Sequence, residues 1–442
     1  MSATPSMIRP SLIRDVRIPT DLLAVPPGGR PPTNGLARCD LLVEQGRIGA
    51  IFGHGTAPEG LPVMHDHGGR IVLPLFADIH THLDKSFIWD RTANPDGTFA
   101  GAIAAVTRDR EGFWTPDDVR RRMMFALECA WAHGTGLLRT HLDTIGSHGE
   151  TVWPLFREIA AQWQGRIALQ AVALVMVEHY LEPGAPALAR TVADTPGGML
   201  GAVIMQDNAT DERLDALIGL AADHGCDLDL HVDENGVAPG TALERVADRV
   251  MAARFPGRVL CGHCCSLARQ DDTDQKRIVA KVRDAGMGIV SLPTCNLYLQ
   301  DRGAGKTPFW RGVTLVQELA AAGVPVMFAS DNVRDPFFPY GDYDMLDVFA
   351  QSVRIAQLDA PPSDWLAAVT TRPAAWMGHD LTIRANGPAD LVLTDARSLN
   401  ELLSRPQSRR RVLRNGVMTM PTPPPYEKMD ELPGMHPVSV IS

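Results

Sequence analysis

Eight apolar, strand-like segments alternate with amphipathic helical segments between residues 71 and 332, and this alternation predicts an α/β fold built on a (β/α)8, TIM-like barrel. The strand-like segments are nearly continuous apolar runs, which is typical of parallel strands that are covered on both faces. The two ends of the chain differ from this pattern. Both contain short β-like pieces, and they predict a small β-sandwich domain formed by the two termini together.

The sequence contains eight predicted barrel strands. They occupy residues 71–82, 136–143, 166–175, 198–205, 226–234, 258–264, 286–293 and 324–332. In barrels of this class the chemistry takes place at the carboxyl ends of the strands. The residues that end each strand are therefore the candidates for function.

The segments between the strands have apolar residues at helical spacing and recognisable ends. Residues 115–134 begin with Thr115 as the N-cap and Pro116 in the first turn, and they end at Gly134. Further predicted helices are 211–225, 241–255, 272–286 and 311–323.

Composition shifts along the chain predict its domain boundaries. Residues 1–70 are rich in Pro and Gly with strand-like pieces between them, and residues 383–420 contain similar pieces. We predict that residues 1–70 form the N-terminal part of the sandwich domain and residues 71–380 the barrel. Residues 381–442 then supply the C-terminal part of the sandwich and an extended, proline-rich tail.

Composition and charge exclude several classes of protein. The chain has 442 residues, 45% hydrophobic and 21% charged, with a net charge of −10 and no basic run that suggests a nucleic-acid partner. Seven cysteines in this length do not form a disulfide framework. No apolar stretch approaches the ~20 residues that span a bilayer, and the N-terminus lacks an apolar signal core. We expect a cytoplasmic protein without a membrane partner.

Four of the predicted strands end in imidazole or carboxylate side chains, and one of these strands also ends in an amide. They are His80 and His82 on strand 1, His231 and Glu234 on strand 5, His263 on strand 6, and Asp331 and Asn332 on strand 8. Residues i and i+2 of a strand face the same side, so His80 and His82 point together. Each histidine alone can be an ordinary residue near a strand end. Together, three imidazoles and a carboxylate suit Zn²⁺ or Fe²⁺.

These motifs resemble those of the amidohydrolase superfamily and, within it, the bacterial cytosine deaminases. The resemblance covers nearly the whole chain. It rests on HTHLDK (80–85), RTHLD (139–143), HVDE (231–234), GHCCSL (262–267), NLYLQDR (296–302), SDNVRDPFFPYGDYDML (330–346) and GPADLVLTDA (387–396).

The resemblance implies a role for each residue of the cluster. His80, His82, His231 and Asp331 would hold one divalent metal, Zn²⁺ or Fe²⁺. Glu234 would shuttle protons, His263 would lie near the attacking water, and Asp331 could also accept a proton from it. Hydrolytic deamination requires these functions, because water must attack an sp² carbon while the ring and the departing amine gain protons. The alternative for Glu234 is a salt bridge at the rim.

Lysine placement favours a single metal. Relatives that open cyclic amides often bridge two metals through a carbamylated lysine on strand 4, but no lysine lies between Lys85 and Lys276. A relative that removes alkylamines from triazine rings has no glutamate at the position matching Glu234. Glu234 therefore favours a deaminase.

The predicted substrate pocket departs from the family pattern. Cytosine deaminases end strand 3 with a glutamine that hydrogen-bonds the pyrimidine edge, and the matching residue here is Met176. Three other positions also differ: Leu174 replaces an aromatic residue, Asn332 an aspartate and Phe337 a tryptophan. Met176 is either core filler or a residue that accepts apolar bulk.

Other residues could supply the polar contact that Met176 lacks. Gln206, after strand 4, is the first candidate, with Asn296 and Gln170 as alternatives, although Gln170 begins strand 3 too early to reach the barrel mouth. Lys85 either touches a substrate oxygen or forms a rim ion pair with Asp84.

Several further polar residues are expected to support the site or to lie away from it. His141 is expected to brace the site, whereas His65, His67 and His148 are expected to be exposed loop histidines.

The sequence thus predicts a metal-dependent enzyme that hydrolyses an exocyclic amine on a nitrogen heterocycle, with cytosine as the first-choice substrate. Small-molecule substrate and water are its expected partners, and we expect a homo-oligomer. Alternatives are isocytosine, creatinine, an aminotriazine or an N-substituted triazine as substrate. A relative that only binds metal or ligand, without catalysis, is a second alternative.

Overall fold

The computed structural model describes residues 9–28 and 31–435, and the chain divides into two compact units. One unit comprises the described residues of Met1–Ala77, Trp131–Gly136 and Asp344–Pro423. The other comprises those of Asp78–Ala130, Leu137–Tyr343 and Pro424–Ser442.

The strands are numbered in chain order. They are β1 (Ser11–Pro19), β2 (Leu36–Glu44), β3 (Arg47–Gly53), β4 (Val63–Pro74), β5 (Phe76–Thr81), β6 (Thr135–Asp143), β7 (Ala168–Leu174), β8 (Gly198–Leu200), β9 (Val203–Ile204), β10 (Leu228–Val232), β11 (Val259–His263), β12 (Gly288–Ser291), β13 (Val326–Phe328), β14 (Leu391–Thr394), β15 (Arg410–Arg414) and β16 (Val417–Thr419).

The α-helices are numbered in the same way. They are α1 (Phe99–Phe113), α2 (Pro116–Ala132), α3 (Gly146–Trp163), α4 (Ala185–Ala193), α5 (Asp211–His224), α6 (Ala242–Ala253), α7 (Asp272–Asp284), α8 (Pro293–Leu299), α9 (Val316–Ala321), α10 (Met345–Ala356), α11 (Thr371–Trp376) and α12 (Leu399–Ser404).

The smaller unit is a β domain to which both ends of the chain contribute, as the sequence predicts. Its strand order is β16-β15-β14-β4-β1-β2-β3. The long strand β4 pairs in parallel with β1 through its first part and antiparallel with β14 through its last part. One buried core joins residues of the N-terminal strands, such as Ile13 and Leu41, to Leu391 and Leu413 of the C-terminal strands.

The larger unit contains the predicted parallel barrel. Its strand order is β5-β6-β7-β8-β10-β11-β12-β13, with β9 paired to β10. Predicted strand 4 is divided into β8 and β9, and Gly201 lies at the break. No side chain fits at Gly201, because a Cβ there would lie 2.4 Å from Val172 Cγ1 and 2.6 Å from the Asp229 carbonyl oxygen. The (β/α)8 fold class is confirmed.

The barrel closes between β5 and the segment after β13. The backbone N–H of Asp331 donates to the His80 carbonyl at 2.9 Å. The Thr81 hydroxyl donates to the Asp331 carbonyl at 2.7 Å. Just before these residues in the chain, the Ser330 N–H donates to the buried carboxylate of Asp78 at 3.1 Å. These bonds hold predicted strand 1 and predicted strand 8 in one register.

Most predicted strands and helices are longer than the observed ones, and two predictions differ in kind from the structure. The single strand predicted at 71–82 is two strands, since Ile71–Pro74 belong to β4 of the smaller unit and β5 begins at Phe76. Both parts are apolar, so their hydrophobicity gave no sign of the break. The helix predicted at 311–323 is shorter and begins only at Val316.

Two histidines predicted to lie in exposed loops belong instead to a strand. His65 and His67 lie on β4, and His67 is buried.

Helix length also bears on the membrane question: among the helices of residues 9–28 and 31–435, none is both long enough and apolar enough to cross a bilayer.

We predict that Asp78→Ala destabilises the barrel seam. The change leaves the buried N–H and hydroxyl of Ser330 without their acceptor, and each such loss costs about 1–3 kcal/mol. Urea unfolding followed by tryptophan fluorescence should show a lower midpoint. Asp215→Ala removes an exposed carboxylate on α5 and should change the midpoint little. Equal midpoints for the two variants would contradict the role of Asp78.

Candidate active site

The side chains of four predicted metal ligands converge at the barrel mouth. The Nε2 atoms of His80 and His231 are 3.2 Å apart, and those of His82 and His231 are 3.3 Å apart. The Asp331 Oδ1 atom lies 3.2 Å from His82 Nε2 and 3.7 Å from His80 Nε2. All four residues are buried.

This donor set fits one divalent ion. Bonds of ~2.0–2.1 Å to a tetrahedral metal separate neighbouring ligand atoms by about 3.3 Å, close to the observed separations. Burial and the neighbouring histidines lower the pKa of His80 well below its ordinary value, so its ring is neutral. Within the described residues, both carboxylate oxygens of Asp331 are buried and have no hydrogen-bond partner. A cation between these atoms would satisfy them.

The loop backbone at the site adopts an uncommon conformation. Asp331 has φ 58° and His263 has φ 66°, in the left-handed region that costs side-chain-bearing residues roughly 1–3 kcal/mol. The hydrogen bonds of the barrel seam hold Asp331 in this conformation. Its carboxylate is thereby directed to His80 on β5 and to His82 just after it.

A second group of side chains lies beside the metal ligands. The Nδ1 atom of His263 is 3.3 Å from the Glu234 carboxylate and 3.1 Å from the amide nitrogen of Asn296 on α8. Gln300 donates to the Glu234 carbonyl at 3.1 Å and fixes the backbone of that residue. One oxygen of Glu234, one of Asp331 and a ring nitrogen of His263 lie within 4.8 Å of one another.

Burial governs the charge of the two carboxyl groups. It raises the pKa of Glu234 well above its ordinary value, and the charge of Asp331 raises it further. Burial also raises the pKa of Asp331 to about 7. A carboxyl group whose pKa lies near neutral pH is suited to accept and return a proton.

A buried polar layer lies beneath the metal ligands, and the sequence analysis identified only part of it. His141 packs against His80 with ring centroids 4.0 Å apart, which agrees with its expected bracing role. Asp229 Oδ1 lies 3.5 Å from His141 Nε2, and Arg139 donates to Asp229 Oδ2 at 2.7 Å. The missed signal for Asp229 was its position two residues before His231 on one strand, where both share a face.

The candidate substrate residues are dispersed around the mouth. Met176 follows β7 and is 48% exposed, whereas Leu174 is buried at the end of β7. Gln206 and Asn235, the neighbour of Glu234, hydrogen-bond each other through their amides, at 3.0 Å for the shorter bond. The amide nitrogen of Asn332 donates to Asp335 at 2.7 Å and is thus already used within the protein.

Two predictions for residues near strand 1, a contact of Lys85 and the exposure of His148, are different in the structure, whereas the expectation for Gln170 agrees with it. Lys85 pairs with Asp143 at 3.0 Å rather than with Asp84. Asp84 instead accepts from the Asp143 N–H at 2.7 Å and faces His148 at 3.4 Å. His148 is therefore buried on α3, not exposed in a loop. Gln170 binds Arg139 and does not serve the mouth.

Comparison with known proteins identifies the family. The sequence model of the amidohydrolase family matches residues 176–420. A pterin deaminase from Rhizobium rhizogenes is 48% identical over 406 residues, which are 91% of this chain and 93% of that protein. An N-isopropylammelide isopropyl amidohydrolase from a Pseudomonas species is 25% identical over 292 residues, 64% of this chain and 68% of that protein.

A solved structure shows the same fold. The 5-methylcytosine deaminase from Klebsiella pneumoniae, solved with 5-fluorocytosine, superposes with a TM-score of 0.78 at 24% identity. The match covers 93% of this chain and 97% of that one. The chain belongs to the amidohydrolase family, as its motifs indicated.

We predict that Gly262→Ala weakens metal binding. A Cβ at this position on β11 would lie 2.8 Å from His80 Cε1, so the ring must move away from its partners. Displaced ligands should lower metal affinity roughly 10- to 100-fold. Competition with a chelator, followed by metal analysis, measures this directly. Gly219→Ala on α5 meets no atom within 4 Å and is the matched control, which should keep wild-type affinity. Unchanged affinity in the Gly262 variant would contradict this geometry.

Proposed function

We propose that this protein hydrolyses the exocyclic 2-amino group of a 2-amino-4-oxo nitrogen heterocycle of the pterin type and releases ammonia. The observation that carries the proposal is the 48% identity to a pterin deaminase over 91% of the chain. The presence of the His/Asp cluster together with Glu234 and His263 supports a catalytic rather than a purely binding function.

Ring chemistry connects this proposal to the pyrimidine expected from the motifs. The pyrimidine half of a pterin is the ring of isocytosine, with the amine on C2 and the oxo group on C4. Cytosine has these two substituents exchanged. The departures at Met176 and Asn332 argue against the recognition that cytosine requires. Met176 is half-exposed, and we propose that a second fused ring packs against it.

We propose that His80, His82, His231 and Asp331 hold one divalent metal, Zn²⁺ or Fe²⁺. Such an ion lowers the pKa of a bound water molecule and makes it nucleophilic at neutral pH. The absence of any lysine between Lys85 and Lys276 supports a single ion, because no lysine is available on β8 or β9 as a bridge.

The residues around the cluster can divide the proton transfers. Asp331 accepts a proton from the attacking water. Glu234 starts protonated, delivers its proton to the ring nitrogen beside the attacked carbon, and regains one from the attacking oxygen as the carbonyl forms. Asp331 passes the proton that it accepted to the amine, which leaves as ammonia. His263 directs its Nε2 edge, which has no partner among the described residues, to the attacking oxygen and stabilises charge there. Asn296 holds the other edge of His263.

We predict that the metal-loaded protein releases ammonia from pterin with a higher kcat/KM than from cytosine. Pterin has the 2-amino-4-oxo ring of the proposed substrate, and its second ring can pack against Met176. A coupled ammonia assay on pterin, isocytosine, cytosine, creatinine and N-isopropylammelide measures the preference, with amine release scored separately for the last. No turnover of any 2-amino-4-oxo ring with one equivalent of Zn²⁺ or Fe²⁺ bound would refute the proposal.

We predict that Glu234→Gln lowers kcat by about 10²–10⁴-fold, because the amide cannot shuttle a proton. The variant should keep its metal, since Glu234 is not among the four proposed ligands. Glu244→Gln, on α6 and outside the site, is the matched control and should retain activity. If Glu234→Gln loses the metal instead, Glu234 is a ligand and not the shuttle.

A further inference from the structure

A buried lysine lies at the mouth of the barrel and is not used by the proposed proton transfers. Lys85 follows β5 by four residues and is 5% exposed. Its ammonium pairs with Asp143, the last residue of β6, at 3.0 Å. It also lies 5.2 Å from the centroid of the Phe337 ring, in the loop that follows Asp331.

The carboxylate that holds Lys85 is itself fixed by other groups. Arg110 of α1 reaches the second oxygen of Asp143 at 3.2 Å. The backbone N–H of Asp143 donates to Asp84 at 2.7 Å. Asp143 therefore forms ion pairs with two cations, Lys85 and Arg110.

The charge of Lys85 is directed at the candidate active site. Burial opposes this charge, yet Asp143, Asp84 and Asp335 raise the pKa of Lys85 above its ordinary value, so the group remains an ammonium. The same charge lowers the pKa of Glu234 and that of Asp331 against the effect of burial. Lys85 follows His82 by three residues and contacts Phe337, six residues after Asp331, so its ammonium borders the cluster and can act on a molecule bound there.

An ammonium has three N–H donors, and one of them is used by Asp143. Among residues 9–28 and 31–435, Lys85 forms no other hydrogen bond through its ammonium. Burying such donors without acceptors is costly. Their position beside the metal ligands points to a bound molecule as the missing acceptor.

We infer that the Lys85 ammonium binds the ring oxo group of the substrate, so that this site selects 2-amino-4-oxo rings over 2,4-diamino rings. The inference rests on the proposed function and names the group by which the substrate is recognised. An oxo oxygen accepts from the ammonium, whereas an amine at the same position directs its own N–H donors at it. Asp143 and Arg110 are positioning residues that hold Lys85 in place.

Binding measurements can test this without turnover. The Glu234→Gln protein, loaded with Zn²⁺, is titrated with pterin and with 2,4-diaminopteridine, and the two Kd values are compared. The Lys85→Met substitution is then introduced into the same Glu234→Gln protein. Methionine keeps an apolar side chain over Phe337, and Arg110 still pairs with Asp143. Lys85→Arg restores a charge, and Lys281→Met removes a partly exposed lysine of α7, away from the site, as the matched control.

We expect Lys85→Met to weaken pterin binding about 10- to 100-fold, as for the loss of a buried hydrogen bond to a charged group. Binding of 2,4-diaminopteridine should change less than about threefold, so the preference between the two ligands is lost. Lys85→Arg should restore part of that preference, and Lys281→Met should keep all of it.

Equal weakening of both ligands, or no weakening, would overturn the inference. Metal content and thermal midpoint, measured for every variant, separate loss of the contact from loss of the fold. The proposed function is tested apart from this, by ammonia release from the protein that retains Glu234. An inactive protein that still prefers pterin through Lys85 would refute the function and leave the recognition intact.

Discussion

The candidate site depends on the hydrogen bond that closes the barrel. The Asp331 N–H donates to the carbonyl of His80, so the metal-facing carboxylate and the first imidazole are fixed to each other through the backbone. The Thr81 hydroxyl reinforces the same seam from the other side. Asp331 has a left-handed backbone conformation at this seam, with φ 58°. A barrel that closed in another register would separate ligands that lie 251 positions apart in the chain, counted from residue 80 to residue 331.

Charge balance follows from that closure. Neighbouring ligand atoms lie 3.2–3.7 Å apart and fit a cation between them, and burial keeps the histidines neutral so that their lone pairs are available. In the proposed function, Glu234 carries protons beside this centre and Lys85 supplies a positive group. The metal ligands would then define the kind of chemistry, and Lys85 the ring on which it acts.

Sequence patterns predicted the barrel, the two-ended β domain and the convergence of His80, His82, His231 and Asp331, because strand ends share one face of the barrel. They did not separate β4 from β5, since both segments are apolar and only tertiary pairing distinguishes them. They also missed the Lys85–Asp143 pair and the Asp229–Arg139 pair, which join residues from different strands. Pairs of this kind depend on inter-strand register, which local periodicity does not encode.

The central claim is that one metal centre, formed by residues of β5, β10 and the barrel seam, holds the substrate ring between Glu234 and Lys85. A crystal structure of the Zn²⁺-loaded protein with pteridine-2,4-dione, the expected product, tests it most directly when anomalous diffraction is recorded at the zinc edge. We predict one anomalous peak bonded to His80, His82, His231 and Asp331. The C2 oxygen should lie at the metal and the C4 oxygen at Lys85. Two metal peaks, or a ring bound away from Lys85, would contradict the account.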